Sequence, residues 1–147
     1  MRRFRRLTKE EFQAVESEFI KYLASEGITA DDWTKKQATS SPEVAAALDG
    51  FSMMFWEGAT HAISYLEHQP DASNLWAFHF AETQAHALHC QRDENRVTWS
   101  QGGKTYEPEA RGQEIFLLLE QGAKPCSEER FKSLHNEMVA DQSLNAS

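Results

Sequence analysis

The longest regular pattern of apolar residues lies between Ser41 and Gln69, and it predicts one long central helix. Ser41 and Pro42 supply a capping hydroxyl followed by a proline at the first helical position. Pro70 disfavours helix at the residue before it, so the predicted helix ends at Gln69. Apolar residues then recur at steps of three and four, which places them on one helix face: Leu48, Phe51, Phe55, Ala59, Ala62 and Leu66.

The opposite face of this predicted helix is polar and carries Glu57, His61, Ser64 and His68. Polar residues at this spacing are common on an exposed helix face, which is the favoured interpretation. The alternative is a metal site made of Glu57, His61 and His68, because a carboxylate and an imidazole one turn apart can hold one ion. Zinc or a similar transition metal would suit such ligands.

Two short helices are predicted before the central one. Thr8 and Glu11 have the spacing of a capping box, and Gly27 fits the left-handed position that ends a helix, which predicts a helix over residues 8–27. Thr29 and Asp32 repeat the capping box, so a second short helix is expected to begin there.

After Pro70 the apolar period changes from helical to alternating. Residues 75–81, 84–92 and 96–100 each alternate apolar and polar positions, which predicts a three-stranded antiparallel meander with one face against the helices and the other partly wet. Residues 102–105 have the sequence Gly-Gly-Lys-Thr, which resembles the end of a phosphate-binding loop. No helix can begin directly after them, so we interpret this stretch as a turn.

Two helices are predicted after the meander. The first covers residues 109–121 and is closed by Gly122, and the second begins after Ser127. The sequence therefore predicts a mostly helical α+β fold in one domain over residues 1–147. Residues 1–7 are expected to be an extended lead-in, and residues 141–147 a frayed tail.

Composition narrows the range of functions. The chain has 147 residues, 40% of them hydrophobic, which argues against disorder. A formal net charge of −8 disfavours nucleic acid as a partner, and no apolar run approaches the ~20 residues that span a bilayer. Two cysteines do not make a disulfide framework, so we expect a soluble cytoplasmic protein that does not bind membranes.

The charge is unevenly distributed along the chain. No Lys or Arg lies between Lys36 and Arg92, a window that holds five of the six histidines. Imidazoles titrate near neutrality, so this window could confer a pH response, although a buried centre would have the same composition. Four arginines cluster near the start of the chain and are expected to pair with acidic residues: Arg2, Arg3, Arg5 and Arg6.

The sequence contains few motifs that indicate a catalytic or cofactor-binding site. The sequence lacks the metalloprotease, nucleophile-elbow, paired-cysteine and dinucleotide-binding motifs, which favours a non-enzymatic protein. The rival hypothesis is a metal-binding protein or metal-dependent hydrolase that combines Glu57 and His61 with a strand histidine, His86 or His89.

Several segments together resemble an uncharacterised bacterial family of small acidic proteins. The resemblance is carried by residues 4–11, 27–33, 51–52, 57–58, 65–67 and 118–123. It implies a stand-alone cytoplasmic domain and transfers no catalytic residue or cofactor.

The function we predict from the sequence is a protein-interaction domain that associates with itself or with another protein. Tryptophans are enriched at interfaces, and short strands have edges that must be covered. The four tryptophans that motivate this prediction are spread along the chain: Trp33, Trp56, Trp76 and Trp99.

Overall fold

The computed structural model describes residues 4–145, which form two compact units that divide between Gly58 and Ala59. Arg2 and Arg3 of the arginine cluster, and the last two residues of the expected tail, lie outside the described residues. The other expected tail residues, from Asp141 to Asn145, continue the last helix.

The first unit is helical. Its elements are α1 (Lys9–Ala14), α2 (Glu16–Ser25), α3 (Ala30–Ala38) and most of α4 (Pro42–His61). Both predicted capping boxes are confirmed, at the starts of α1 and α3. The single helix predicted over residues 8–27 is instead two, because Val15 leaves the helical conformation with φ −117° and ψ 31°.

The first residues of the described chain form part of the core of the helical unit. Phe4 and Leu7 are buried, and the Leu7 N–H donates a 2.9 Å hydrogen bond to the hydroxyl of Ser52 on α4. The pairing predicted for the arginine cluster is confirmed for Arg5 and Arg6, which bind the carboxylates of Glu11 and Asp49 respectively, each at 2.7 Å. This segment is thereby fixed along α4.

The prediction that residues 41–69 form one helix is wrong. The helix α4 begins at Pro42 as predicted but ends at His61, and strand β1 (Tyr65–Asp71) follows. The junction is rich in β-branched and aromatic residues, which favour strands over helices. Leu66, placed on the predicted helix face, is fully buried in β1 instead.

The second unit contains a five-stranded antiparallel sheet, so the predicted three-stranded meander is wrong. The strands after β1 are β2 (Asn74–Phe80), β3 (Gln84–Asp93), β4 (Arg96–Thr105) and β5 (Lys124–Pro125), in the spatial order β4-β3-β2-β1-β5. The turn predicted at residues 102–105 is also wrong, because these residues continue β4 and pair with β3.

Both faces of the sheet carry helices. On one face α6 (Glu128–Asn145) packs Phe131, Leu134 and Met138 against Ala77 and Leu88. On the other face a short 3₁₀ turn (Pro108–Ala110) leads into α5 (Arg111–Glu120), which packs Ile115 against Leu66 and Phe80. The α+β class is therefore confirmed, whereas the partly wet face is replaced by a second core.

Within residues 4–145, no helix combines the length and the apolar character that crossing a membrane requires.

Candidate functional site

The three residues of the predicted metal site do not share one helix face. Glu57 and His61 are exposed on α4, and His61 is its last residue, whereas His68 lies on β1. The side chain of His68 is half-buried beside Gly122, and its Nδ1 has no hydrogen-bond partner among the described residues. Residues 4–145 contain no group of three His, Cys, Asp or Glu side chains placed to hold a metal ion. The helical row that motivated the metal hypothesis is absent, and the hypothesis itself stays a prediction.

The strand histidines divide between the two faces of the sheet. His89 lies on the α5 face, where it stacks on Trp76 with 3.9 Å between ring centroids. Its Nε2 also lies 2.8 Å from the side-chain oxygen of Asn74. His79 and His86 lie on the α6 face, directly opposite each other on β2 and β3. Alternate residues of a strand point to opposite faces, which separates His86 from His89, and the pairing of β2 with β3 puts His79 on the side of His86.

His79 and His86 border a cavity of about 490 Å³ at one end of the sheet. His79 stacks on Tyr65 with 4.5 Å between ring centroids, and the Nε2 of His86 lies 2.8 Å from the side-chain oxygen of Gln101. His135 of α6 approaches His86 with 5.9 Å between rings. The cavity, which we call the histidine cavity, is lined by His79, Ala81, Gln84, Ala85, His86, Gln101, Gly102 and Gly103.

Burial lowers the pKa of His79 below its usual value, and the neighbouring His86 and Arg111 lower it further, while Glu128 raises it. The imidazole of His79 is therefore neutral at pH 7 and contributes an uncharged stacking surface rather than a cation.

Strand β4 forms one edge of the sheet and has ten residues, of which all except Trp99 are exposed. Among the described strands it pairs with β3 alone. The Tyr106 N–H, just beyond the strand, donates a 3.0 Å hydrogen bond to the carbonyl oxygen of Thr83, so the backbone groups of residue 106 point towards β3. Backbone groups of alternate residues in a strand point to the same side. Even-numbered residues of β4 thus face β3. The N–H and C=O groups of the odd-numbered residues face outward: Val97, Trp99, Gln101, Gly103 and Thr105.

Two concave surfaces run beside this outward edge. The histidine cavity borders the edge at residues 101–103. A second cavity of about 750 Å³ lies between residues 95–99 and the C-terminal part of α6, where Asp141 and Gln142 line it. A strand that added to β4 would therefore find space for side chains above the α6 face of the sheet.

Little on β4 protects the edge from pairing. Its charged residues, Arg96 and Lys104, lie near its two ends, and the ammonium of Lys104 binds the carboxylate of Glu114 at 2.7 Å. Exposed edges in proteins are usually blunted by charge, proline or short length, and the middle of β4 has none of these.

The third strand predicted from the sequence ended at Ser100, whereas β4 extends to Thr105, so the prediction did not include the full length of this edge. The available signal was the pairing geometry of the hairpin. Asp93 opposite Arg96 closes a two-residue turn, and the ten residues of β3 then require a partner that extends to Thr105 opposite Gln84.

Residues 1–96 match the model of a family described as a family of unknown function, DUF6495. This match covers the helical unit and strands β1 to β3, and it ends at the first residue of β4. None of the curated proteins matches the chain. None of the solved structures matches it either.

Proposed function

Since the chain belongs to the DUF6495 family, whose function is unknown, we propose its function from its own geometry. The protein is an interaction module that binds an extended polypeptide strand along the open edge of β4.

The observation that carries this proposal is the outward row of backbone groups on a long, exposed strand with an uncharged middle. Strand addition to a sheet edge is a recurring mode of protein recognition, in which main-chain hydrogen bonds supply affinity and neighbouring pockets supply specificity. Each such bond contributes about 0.5–1.5 kcal/mol net. The two cavities beside β4 provide the pockets that this mode requires.

The proposal is tested with a synthetic peptide of residues 96–105 as the probe and the full chain at low concentration as the receptor. Hydrogen exchange followed by NMR distinguishes the outward-facing amides of β4 from the amides that bond to β3. We expect peptide binding to slow exchange at the outward amides of Trp99, Gln101 and Gly103. The amides of Ser100 and Gly102 already bond to β3 and should change little.

A matched pair of variants identifies the edge as the binding site. Gln101→Pro removes one outward N–H, at a place where an edge strand tolerates proline, whereas Gln101→Ala keeps that donor. Peptide binding should be lost in Gln101→Pro and retained in Gln101→Ala, with unchanged circular dichroism in both. Equal binding by both variants, or no slowing of exchange in the wild-type protein, would overturn the proposal.

A further inference from the structure

We infer that the strand bound along β4 is β4 of a second copy of this chain, antiparallel to the first, with a two-fold axis at Gln101. This inference rests on the proposed function and names the partner and its register.

Symmetry restricts the possible registers. Antiparallel pairing of two identical edges requires a two-fold axis perpendicular to the sheet, which keeps the α6 faces of both copies on the same side. Residues directly opposite each other then share a face, so odd-numbered residues lie opposite odd-numbered ones. These are the residues of β4 whose backbone groups point outward.

Two of the registers that satisfy this rule pair nearly the whole strand, with the axis at Ser100 or at Gln101. The axis at Ser100 places Arg96 opposite Lys104 of the second copy at both ends, and directly opposed like charges destabilise a strand pair. It also leaves the outward groups of Thr105 without partners. The axis at Gln101 places Thr98 opposite Lys104 and bonds every outward residue from Val97 to Thr105. Charge and hydrogen bonding both favour the register with the two-fold axis at Gln101.

The two glycines of β4 fit this register. Glycine in a strand interior makes the strand less stable than alanine does, so its presence calls for a reason. Neither Gly102 nor Gly103 has a positive φ, and a Cβ on Gly102 would meet no described atom within 4 Å, whereas a Cβ on Gly103 would lie 3.4 Å from the backbone oxygen of Ala85. The fold of the single chain therefore does not require glycine at position 102. With the axis at Gln101, Gly103 lies opposite Trp99 of the second copy, and Gly102 lies opposite Ser100.

Trp99 supplies the aromatic contact across this interface. Its side chain is half-buried, because it packs against the core under α6 and remains partly exposed. Opposite Gly103 the exposed part lies at the mouth of the histidine cavity, beside Gln101 and His86. An aromatic side chain over a cross-strand glycine is a known stabilising pair at sheet edges.

Disulfide trapping in the full chain tests the register. Cys126→Ser removes the half-buried thiol, and the buried Cys90 is kept. On this background Gln101→Cys places two thiols opposite each other at the axis, with about 5.5 Å between Cα atoms, within the range of a disulfide. Ser100→Cys is the matched control, because its sulfur lies across from Gly102 rather than from its own copy. Mild oxidation should give covalent dimers with Gln101→Cys at least tenfold faster than with Ser100→Cys.

The outcomes separate this inference from the proposed function. Faster cross-linking of Ser100→Cys would overturn the register. A full chain that sediments as a monomer at all concentrations, with no cross-linking of either variant, would overturn the second copy as partner. The peptide experiment would still report separately whether the edge binds a strand. Rapid trapping of Gln101→Cys alone, together with a dimer in sedimentation of the wild-type chain, supports the inference.

Discussion

Histidine occupies several environments in this chain. His61 is exposed at the end of α4, His89 stacks on Trp76, and His79 is half-buried under α6 against Tyr65. Alternation within β3 separates His86 from His89, which is a local property, whereas the face that His79 shares with His86 follows from the register of β2 against β3. The sequence does not determine how deeply each histidine side chain is buried, because burial depends on the helix that packs on that face of the sheet.

His79 should make the protein less stable in mild acid. The unfolded chain binds a proton at this position near pH 6.5, whereas the native state binds it only at lower pH because its pKa is lowered. The stability supplied by neutral His79 is therefore present above about pH 6.5 and lost as the pH falls towards the native pKa. We expect the Tm of the wild-type protein to fall from pH 7.5 to 5, and to fall less in His79→Gln. The exposed His61→Gln serves as the control for loss of an imidazole elsewhere in the chain. Identical slopes for the wild-type protein and His79→Gln would contradict the assignment.

Glu11 should contribute to stability above acid pH. Hydrogen bonds from Arg5 and, to a smaller extent, from the Thr8 backbone N–H at the start of α1 together lower the pKa of this carboxyl to about 2, although partial burial opposes them. Its contribution is present above its usual pKa of about 4.5 and is lost as the pH falls towards 2. Because the pair is partly exposed, we expect Glu11→Gln to cost only about 0.5–1 kcal/mol at pH 7. Urea titrations at pH 7 and pH 2.5 measure this cost, with Glu10→Gln as a neighbouring control, and a cost that persists unchanged at pH 2.5 would argue against the ion pair.

At the scale of elements, the boundary between α4 and β1 shows how packing overrides a periodic pattern. Leu66 satisfies a helical spacing, but residues 65–68 pair with β2 in an extended strand, in which Leu66 reaches the core under α5. Pro70 lies where the pairing of β1 with β2 becomes irregular, between His68 and Asp71. Proline lacks a ladder donor, so it marked the end of regular strand pairing rather than the end of a helix.

Two glycines, one within α4 and one just after α5, should have opposite effects on stability when each is replaced by alanine. Gly122 follows α5 with φ +106°, a conformation that alanine adopts only with strain, so Gly122→Ala should destabilise the protein by about 1 kcal/mol. Gly58 is exposed within α4, and a Cβ there meets no described atom within 4 Å, so Gly58→Ala should stabilise it by up to about 1 kcal/mol. Chemical denaturation of both variants measures these changes, and the same sign for both would show that the two glycines are not distinguished by backbone conformation.

At the scale of the whole molecule, an open edge couples stability to concentration. A partner that binds only the native state stabilises it by mass action, so a self-associating protein melts at a higher temperature when it is more concentrated. The exposed and largely uncharged β4 is the part of the described chain that most needs such a partner.

We expect the Tm of the wild-type protein to rise by several degrees between micromolar and millimolar concentration. The Tm of Gln101→Pro should stay constant over that range, and Gln101→Ala should follow the wild-type protein, because it keeps the outward N–H. Scanning calorimetry at several concentrations measures this effect. A constant Tm for the wild-type protein would contradict self-association through this edge.

The sequence by itself determined the features that depend on neighbouring residues. The capping boxes at Thr8 and Thr29 and the glycine that follows α5 are local features, and each was predicted correctly. Hydrogen bonds and backbone conformations within a few residues of one another decide them.

Only the tertiary structure decided what residues 65–71 and 101–105 become. Periodicity within each stretch did not predict a strand, and each becomes one because other strands pair with it: β2 and β5 for the first, β3 for the second. Because the first stretch is a strand, the residues of the predicted metal site do not share a helix face. Because the second stretch extends β4, the strand has a long open edge. The register of a strand pair depends on the turn that joins the strands, on the length of the partner strand and on the burial of one face. Periodicity within one segment contains none of this information.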